Sequence, residues 1–221
     1  ARGVLNLVHS PADMDAAMRR GNAMRLNGID ARFLTKDEIA RWIPSLDCSP
    51  DARFPIHGGL LQPRGGTVRH DAVAWGYARA ADACGVAIIQ QCAATGTRRG
   101  QGTVAGVETT QGFIATDKLG LAAASNSSLL AAMAGIRLPV ETHVLQALVS
   151  EPVKPVLDTV VTSGAVHFYI SQSDKGELVM GGDLDFYNSY SQRGNLPIIE
   201  HVISACLALF PSFGRLKVMR T

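Results

Sequence analysis

V-A-I-I-Q (residues 86–90), T-V-A-G-V-E-T (103–109), G-F-I-A (112–115) and K-L-G-L-A-A-A (118–124) are four short apolar runs separated by small or turn-forming residues. Their reading decides the fold. The first and last are short, apolar and bounded by turn signals, the pattern of buried strands. The middle two are joined by a tight turn at Thr110-Gln111 and form a meander. The helical pattern that precedes them begins near His70-Asp71 and runs to Cys84, with Val73, Tyr77 and Ala80-Ala81 at helical spacing and Gly85 as the stop. Small-residue strand ends at Cys92-Ala93-Ala94 and Ala122-Ala123-Ala124 let a flat or phosphorylated ligand approach the backbone. A plain meander packed on a helix would show the same order of elements.

Working outward, Ser10-Pro11 reads as an N-cap with proline at the first helical position, and opens a helix over residues 12–26 that stops at Asn27-Gly28. Thr35-Lys36-Asp37-Glu38 is a capping box for a short helix through Trp42. The Pro- and Gly-rich stretch 44–66 reads as a loop. Residues 125–128 form a small-residue loop into a short helix ending at Gly135. Beyond Glu141, residues 144–150, 165–171 and 177–181 read as strands, with Asp174-Lys175-Gly176 as a hairpin turn. Asn195-Leu196-Pro197 starts a helix that reaches Phe210, and 215–220 alternates like a final strand. The fold class is α+β, mixed α/β, in two lobes: residues 1–140, with helices beside a meander, and residues 141–221, mostly antiparallel strands with one long helix.

The chain has 221 residues and a formal net charge of +2; 47% of it is hydrophobic and 18% charged. That composition excludes intrinsic disorder. The near-zero charge argues against nucleic acid as a partner, because phosphate binding needs a basic face. No apolar run approaches the roughly 20 residues that span a bilayer, so no membrane partner is expected. Cys48, Cys84, Cys92 and Cys206 form no C-x-x-C pair and read as buried, reduced thiols of a cytoplasmic protein. The chain begins with Ala1 and reads as an internal piece of a longer polypeptide.

Residues 64–83, R-G-G-T-V-R-H-D-A-V-A-W-G-Y-A-R-A-A-D-A, carry the most specific chemistry. Gly65-Gly66 permits close backbone approach. His70 falls at a helix start with Asp71 in the first turn, where a carboxylate is favoured. A helix N-terminus favours a neutral histidine ring over its cation, and a neutral ring nitrogen is a nucleophile. Taken alone, such a histidine is an ordinary helix-end residue. His9, His57, His143, His167 and His201 show no metal spacing. Asp183 and Asp185 read as a solvated loop or an acid pair. Phe186, Tyr187 and Tyr190 read as pocket wall or core cover.

The 64–83 run resembles the β subunits of heterotetrameric sarcosine oxidases, within the D-amino acid oxidase-like flavoprotein family. So do residues 145–161 (L-Q-A-L-V-S-E-P-V-K-P-V-L-D-T-V-V), 169–181 (Y-I-S-Q-S-D-K-G-E-L-V-M-G), the Y-x-x-Y-S-Q-R-G-N run 187–195 and R-L-N-G-I-D (25–30). The resemblance covers essentially the whole chain. It implies part of an FAD-binding domain in the first lobe and part of a substrate and interface domain in the second. It implies non-covalent FAD, with Ala94 beside the adenine and Ala124-Ser125 beside the pyrophosphate. The family usually has glycine where Ser125 stands. It also implies FMN attached covalently to His70, and oxidative demethylation of sarcosine to glycine and formaldehyde, or methylenetetrahydrofolate when tetrahydrofolate is present, with release of hydrogen peroxide. The partners implied are α, γ and δ subunits. A G-x-G-x-x-G strand-turn-helix is absent from these residues, so negligible oxidase activity is expected of them alone. A related amine or opine oxidase, or an inactive assembly subunit of the same fold, would share these motifs.

Overall fold

The computed structural model describes residues 3–221, and they fall into two compact units. One is built from residues up to 68 with 144–186 and 192–221; the other from 69–143 with 187–191. The contiguous lobes 1–140 and 141–221 do not coincide with these units. The reason is that strands from the first third of the chain pair with strands from the last third.

The first unit is organised by an eight-stranded sheet. Its strands are β1 (Val4–Val8), β2 (Arg32–Thr35), β3 (Gly58–Gln62), β7 (Ala147–Pro152), β8 (Val160–Ser163), β9 (Phe168–Gln172), β10 (Glu177–Gly181) and β11 (Val218–Arg220), in the spatial order β11-β7-β10-β9-β8-β1-β3-β2. Every pairing among them is antiparallel except β1 with β8, where Val4, Leu5 and Asn6 stand beside Val160, Val161 and Thr162. β3 corrects the reading of 44–66 as loop throughout: Gly59 sits there because a side chain would strike Leu5 on the neighbouring strand and Ile39 of the helix packed on the sheet. The strands expected at 144–150 and 165–171 start later, at Ala147 and Phe168.

Burial alternates along these strands, as a two-faced sheet requires. Leu5, Leu148, Val161, Ile170 and Leu178 are fully buried on one face. They pack with α2 (Lys36–Trp42) and α5 (Leu196–Leu209), which contributes Ile198, Val202, Ala205, Cys206 and Leu209. Both helices start as their sequences dictate. The Thr35 hydroxyl accepts from Glu38 N–H while the Glu38 carboxylate accepts from Thr35 N–H, and Asn195 Oδ1 accepts from Ile198 N–H. The Thr35 backbone N–H, with its hydroxyl, holds the Glu38 carboxyl below its usual range. On the other face, α1 (Pro11–Leu26) lies over β3, with Gly21 against Leu60.

The second unit holds α3 (His70–Ala83), a three-stranded meander of β4 (Ala94–Gly100), β5 (Thr103–Thr109) and β6 (Gly112–Ala115), a 3₁₀ turn (Ala124–Asn126) and α4 (Ser127–Met133). The meander is as read, with β4 added at its edge. Arg98 ties β4 to β5 through Glu108, and its guanidinium lies 4.0 Å from the Phe113 ring centroid. The expected strands 86–90 and 118–124 are not strands. No described residue pairs with them, and Val86, Ile88 and Ile89 are about half exposed. A strand needs a neighbour for its N–H and C=O groups. Ala131 and Ala134 are this unit's only buried hydrophobic side chains among the described residues.

The four thiols are unpaired, but they are not uniformly buried. Cys206 is buried, Cys48 and Cys92 are partly so, and Cys84, at the end of α3, is exposed. Desolvation pushes the Cys206 thiol up to about 12 and raises that of Cys48. A raised thiol pKa favours the neutral, folded form, so this contribution is present below pH ~9 and is lost as pH climbs toward about 12. Maleimide labelling at pH 8 is expected to modify Cys84 within minutes and to leave Cys206 unlabelled until denaturant is added. Equal rates at the two sites, read by peptide mass, would contradict this packing.

Candidate functional site

His70 is the first residue of α3, and its side chain is exposed. The preceding Arg69 is extended and gives no side-chain cap to the helix. The free N–H groups at a helix start favour negative charge, and Asp71 supplies it. The Ala72 backbone N–H, aided by Arg69 and His70, holds the Asp71 carboxyl below its usual range. The Arg69 guanidinium lies 3.7 Å from that carboxylate. His70 therefore presents an open imidazole on the first turn of a 14-residue helix, beside a standing negative charge.

Ala94 is the first residue of β4, opposite Thr109, and is exposed. The strand end before it is held by side chains from the β5–β6 turn. Ala93 N–H donates to the Thr110 hydroxyl, and Gln111 Nε2 donates to the Gln90 and Gln91 carbonyls. Ala124 and Ser125 form the 3₁₀ turn at the end of the 118–123 segment. Ala124 has φ +45°, a left-handed conformation that costs a non-glycine residue about 1–2 kcal/mol. The left-handed position is thus Ala124, one residue before the Ser125 at which the family usually places glycine. The turn is anchored from outside, since the Thr142 hydroxyl donates to the Ser125 carbonyl at 3.0 Å. Ala122, Ala124 and Ser125 are exposed.

These residues fit a dinucleotide as far as they go. Small residues at the left-handed Ala124-Ser125 turn leave the backbone open to a phosphate, and a small residue at Ala94 leaves room for a flat ring. His70, Ala94, Ala124 and Ser125 all belong to the second unit.

Other residues take structural roles. Asp185 accepts from Asn195 Nδ2 at 2.6 Å and so braces the cap of α5, while Asp183 accepts from Leu184 N–H. His143 bridges to Asn188, and Glu141 accepts from the Asn188 side chain. His9 joins Ser163 at 2.9 Å and the Pro55 carbonyl at 3.1 Å, and His201 joins the Val166 carbonyl. No group of three metal-ligating side chains occurs among the described residues. None of their helices is long and apolar enough to cross a membrane. Sequence reading missed Gln172, whose amide organises the 153–157 loop; its signal was its place in the S-Q-S-D-K-G run.

This mixed α/β chain with a mostly antiparallel sheet matches a family model over its whole length. Residues 1–221 match the FAD dependent oxidoreductase model, and the chain belongs to that family. Among curated relatives, it is 63% identical over 220 residues to sarcosine oxidase subunit beta of Rhizobium meliloti (strain 1021), covering 100% of this chain and 53% of that one. It is 47% identical to sarcosine oxidase subunit beta of Arthrobacter sp, covering 100% and 54%. The chain spans about half the length of these relatives. Among solved structures, L-proline dehydrogenase from P. horikoshii superposes with a TM-score of 0.91 at 21% identity, covering 99% of this chain and 58% of that one. Glycine oxidase from Bacillus cereus gives 0.80 at 19%, covering 98% and 57%. At these identities the solved structures speak for the fold alone.

Proposed function

We propose that this chain is part of the β subunit of a heterotetrameric sarcosine oxidase, and that His70 carries FMN covalently. The identity of 63% to a sarcosine oxidase subunit beta carries the assignment. The open imidazole at the start of α3 supports the role of His70. In this reading sarcosine, oxygen and water give glycine, formaldehyde and hydrogen peroxide; with tetrahydrofolate the one-carbon product is methylenetetrahydrofolate. The flavins supply the redox chemistry. The chain's own residues bind and orient. Ala94 leaves space for the adenine of a non-covalent FAD, and the Ala124-Ser125 turn offers backbone to its pyrophosphate. His70 would hold FMN by a bond from a ring nitrogen to the 8α carbon in place of one C–H bond, with the proton released to solvent and the two electrons taken up by the flavin and passed to oxygen. The Asp71 carboxylate follows His70 on the same turn. The partners in this reading are α, γ and δ subunits in the cytoplasm, and residues 1–140 and 141–221 contribute to cofactor-binding and substrate-binding regions.

Arg69 and Arg79 flank the tryptic peptide 70–79, H-D-A-V-A-W-G-Y-A-R. In the full-length protein expressed with its partner subunits, that peptide is expected to carry the mass of FMN. Acid precipitation should leave yellow colour with the protein. His70→Ala should release all covalent flavin to the supernatant while non-covalent FAD is retained. An unmodified peptide in the assembled wild type would overturn covalent attachment. Peroxide release with sarcosine, compared with other N-methyl amines and opines, tests the substrate.

A further inference from the structure

The end of α2 and the connection between β7 and β8 enclose a cleft of about 250 Å³. Trp42, the last residue of α2, and Ile43 line it from the helix. Pro155, Val156, Leu157 and Asp158 line it from the connection. All six belong to the first unit, and none is among the candidate flavin residues.

The rim of this cleft is unsuited to an anion. Gln172 Oε1 already accepts from the N–H groups of Val156 and Leu157, at 2.8 and 3.1 Å. Pro155 has no N–H. Three successive backbone positions therefore offer no free donor. The charge on the lining is the Asp158 carboxylate, which is exposed and has no hydrogen-bond or ion-pair partner among the described residues. Arg41 and Lys154, the cations nearest in sequence, are exposed and do not line the cleft. Trp42 is half-buried and packs in part against the core, which fixes the indole in place.

An indole and a carboxylate together attract a cation, and the rest of the lining narrows its kind. A metal ion needs several oxygen or nitrogen ligands, and no group of three metal-ligating side chains occurs among the described residues. A primary ammonium brings three N–H donors to a single carboxylate. A fully methylated ammonium has no N–H to satisfy. Its charge is spread over methyl groups that can pack on the indole and on Ile43, Pro155 and Val156. The volume suits such a head of a few heavy atoms, being below the roughly 300–1,000 Å³ of sites for larger ligands.

We propose that the cleft between Trp42 and Asp158 binds a small quaternary ammonium, held by a cation–π contact with the indole and by the charge of the carboxylate.

The test uses the full-length protein expressed with its partner subunits. Choline is titrated by isothermal calorimetry, beside dimethylbutanol, its uncharged isostere with carbon in place of nitrogen. Choline is expected to bind about tenfold more tightly than the isostere. Trp42→Leu should weaken choline about fivefold to tenfold, the worth of a partly desolvated cation–π contact. Asp158→Asn should weaken it about twofold to fivefold, as for an exposed ion pair. Asp158 is exposed, so its variant reports on the site even where Trp42→Leu disturbs packing. No choline binding to the assembled wild type would overturn the proposal, since the cleft would then be covered or without affinity. Equal affinity for choline and its isostere would overturn it, as would choline binding that Asp158→Asn leaves unchanged. None of these results touches the amine-oxidase reading.

Discussion

Replacing Gly182 with alanine is expected to destabilise the protein by about 3 kcal/mol or more, because the overlap is with backbone that cannot rotate away. Gly182 follows β10 with φ +157°, and a Cβ built there falls on the carbonyl of His167, with the Phe168 Cα only 2.9 Å away. His167 is itself left-handed, at φ +46°. The start of β9 and the end of β10 therefore close against one another through a contact that only glycine permits. A loss of that size is a large share of the roughly 5–15 kcal/mol that holds a typical domain folded. For a chain of this length it lowers the melting temperature by roughly 6–12 °C. Thermal and urea unfolding of the Gly182→Ala variant measure it. A midpoint within a degree of wild type would mean that the β9–β10 end does not close in this way.

The second large effect is expected at Gln172. Its Oε1 accepts from the N–H groups of Val156 and Leu157 at 2.8 and 3.1 Å. Its Nε2 donates to the carbonyls of Val153, Lys154 and Gly176 at 3.3, 3.1 and 3.0 Å. One side chain thus satisfies backbone groups on both sides of the β7–β8 connection and in the β9–β10 hairpin. The connection seats Leu157 in the core at 5% exposure. Gln172→Ala removes these bonds together and leaves partly buried N–H groups without an acceptor. At about 1 kcal/mol net for each well-made bond, the loss is roughly 2–3 kcal/mol. Gln172→Glu keeps the oxygen that accepts from Val156 and Leu157 but sets a carboxylate oxygen against the carbonyls of Val153, Lys154 and Gly176, so it should be no more stable than the alanine variant. Chymotryptic cleavage after Leu157, which is buried in the wild type, gives a local readout and should speed up in the alanine variant. Unchanged stability and unchanged cleavage would show that the loop holds itself.

Much of this architecture is legible because it is local. Ser10 and Thr35 cap the helices expected of them and Asn195 caps the helix expected to start there, since a cap is a contact over two or three residues. The Asp174-Lys175-Gly176 hairpin forms with Gly176 at φ +93° for the same reason. β1 and β8 were not read. Each is a run of four or five residues whose alternation means little until a partner is known, and their partners are each other. β3 hid in a Gly-rich stretch because Gly58 and Gly59 are there for close packing, not for a turn. The opposite holds at 86–90 and 118–124, where apolar composition signals a strand but the ladder also needs a neighbour. At the candidate site, position was legible and conformation was not. His70 falls on the first turn of α3 as read, whereas the left-handed backbone at Ala124 has no sequence signature in an alanine.

The parallel seam between β1 and β8 has a consequence for how the chain comes into being. Val4 meets Val160, and Gly3 accepts from the Thr159 hydroxyl across 156 residues. On a ribosome, β1 emerges long before the segment that will flank it. Until then it can pair only with β3, and its other edge is open to any extended neighbour. Native contacts of such long reach slow folding. The window of exposure is set by translation and by chaperone capture during it, so a pause in synthesis before residue 160 would trade yield for aggregation without altering a single contact of the finished molecule.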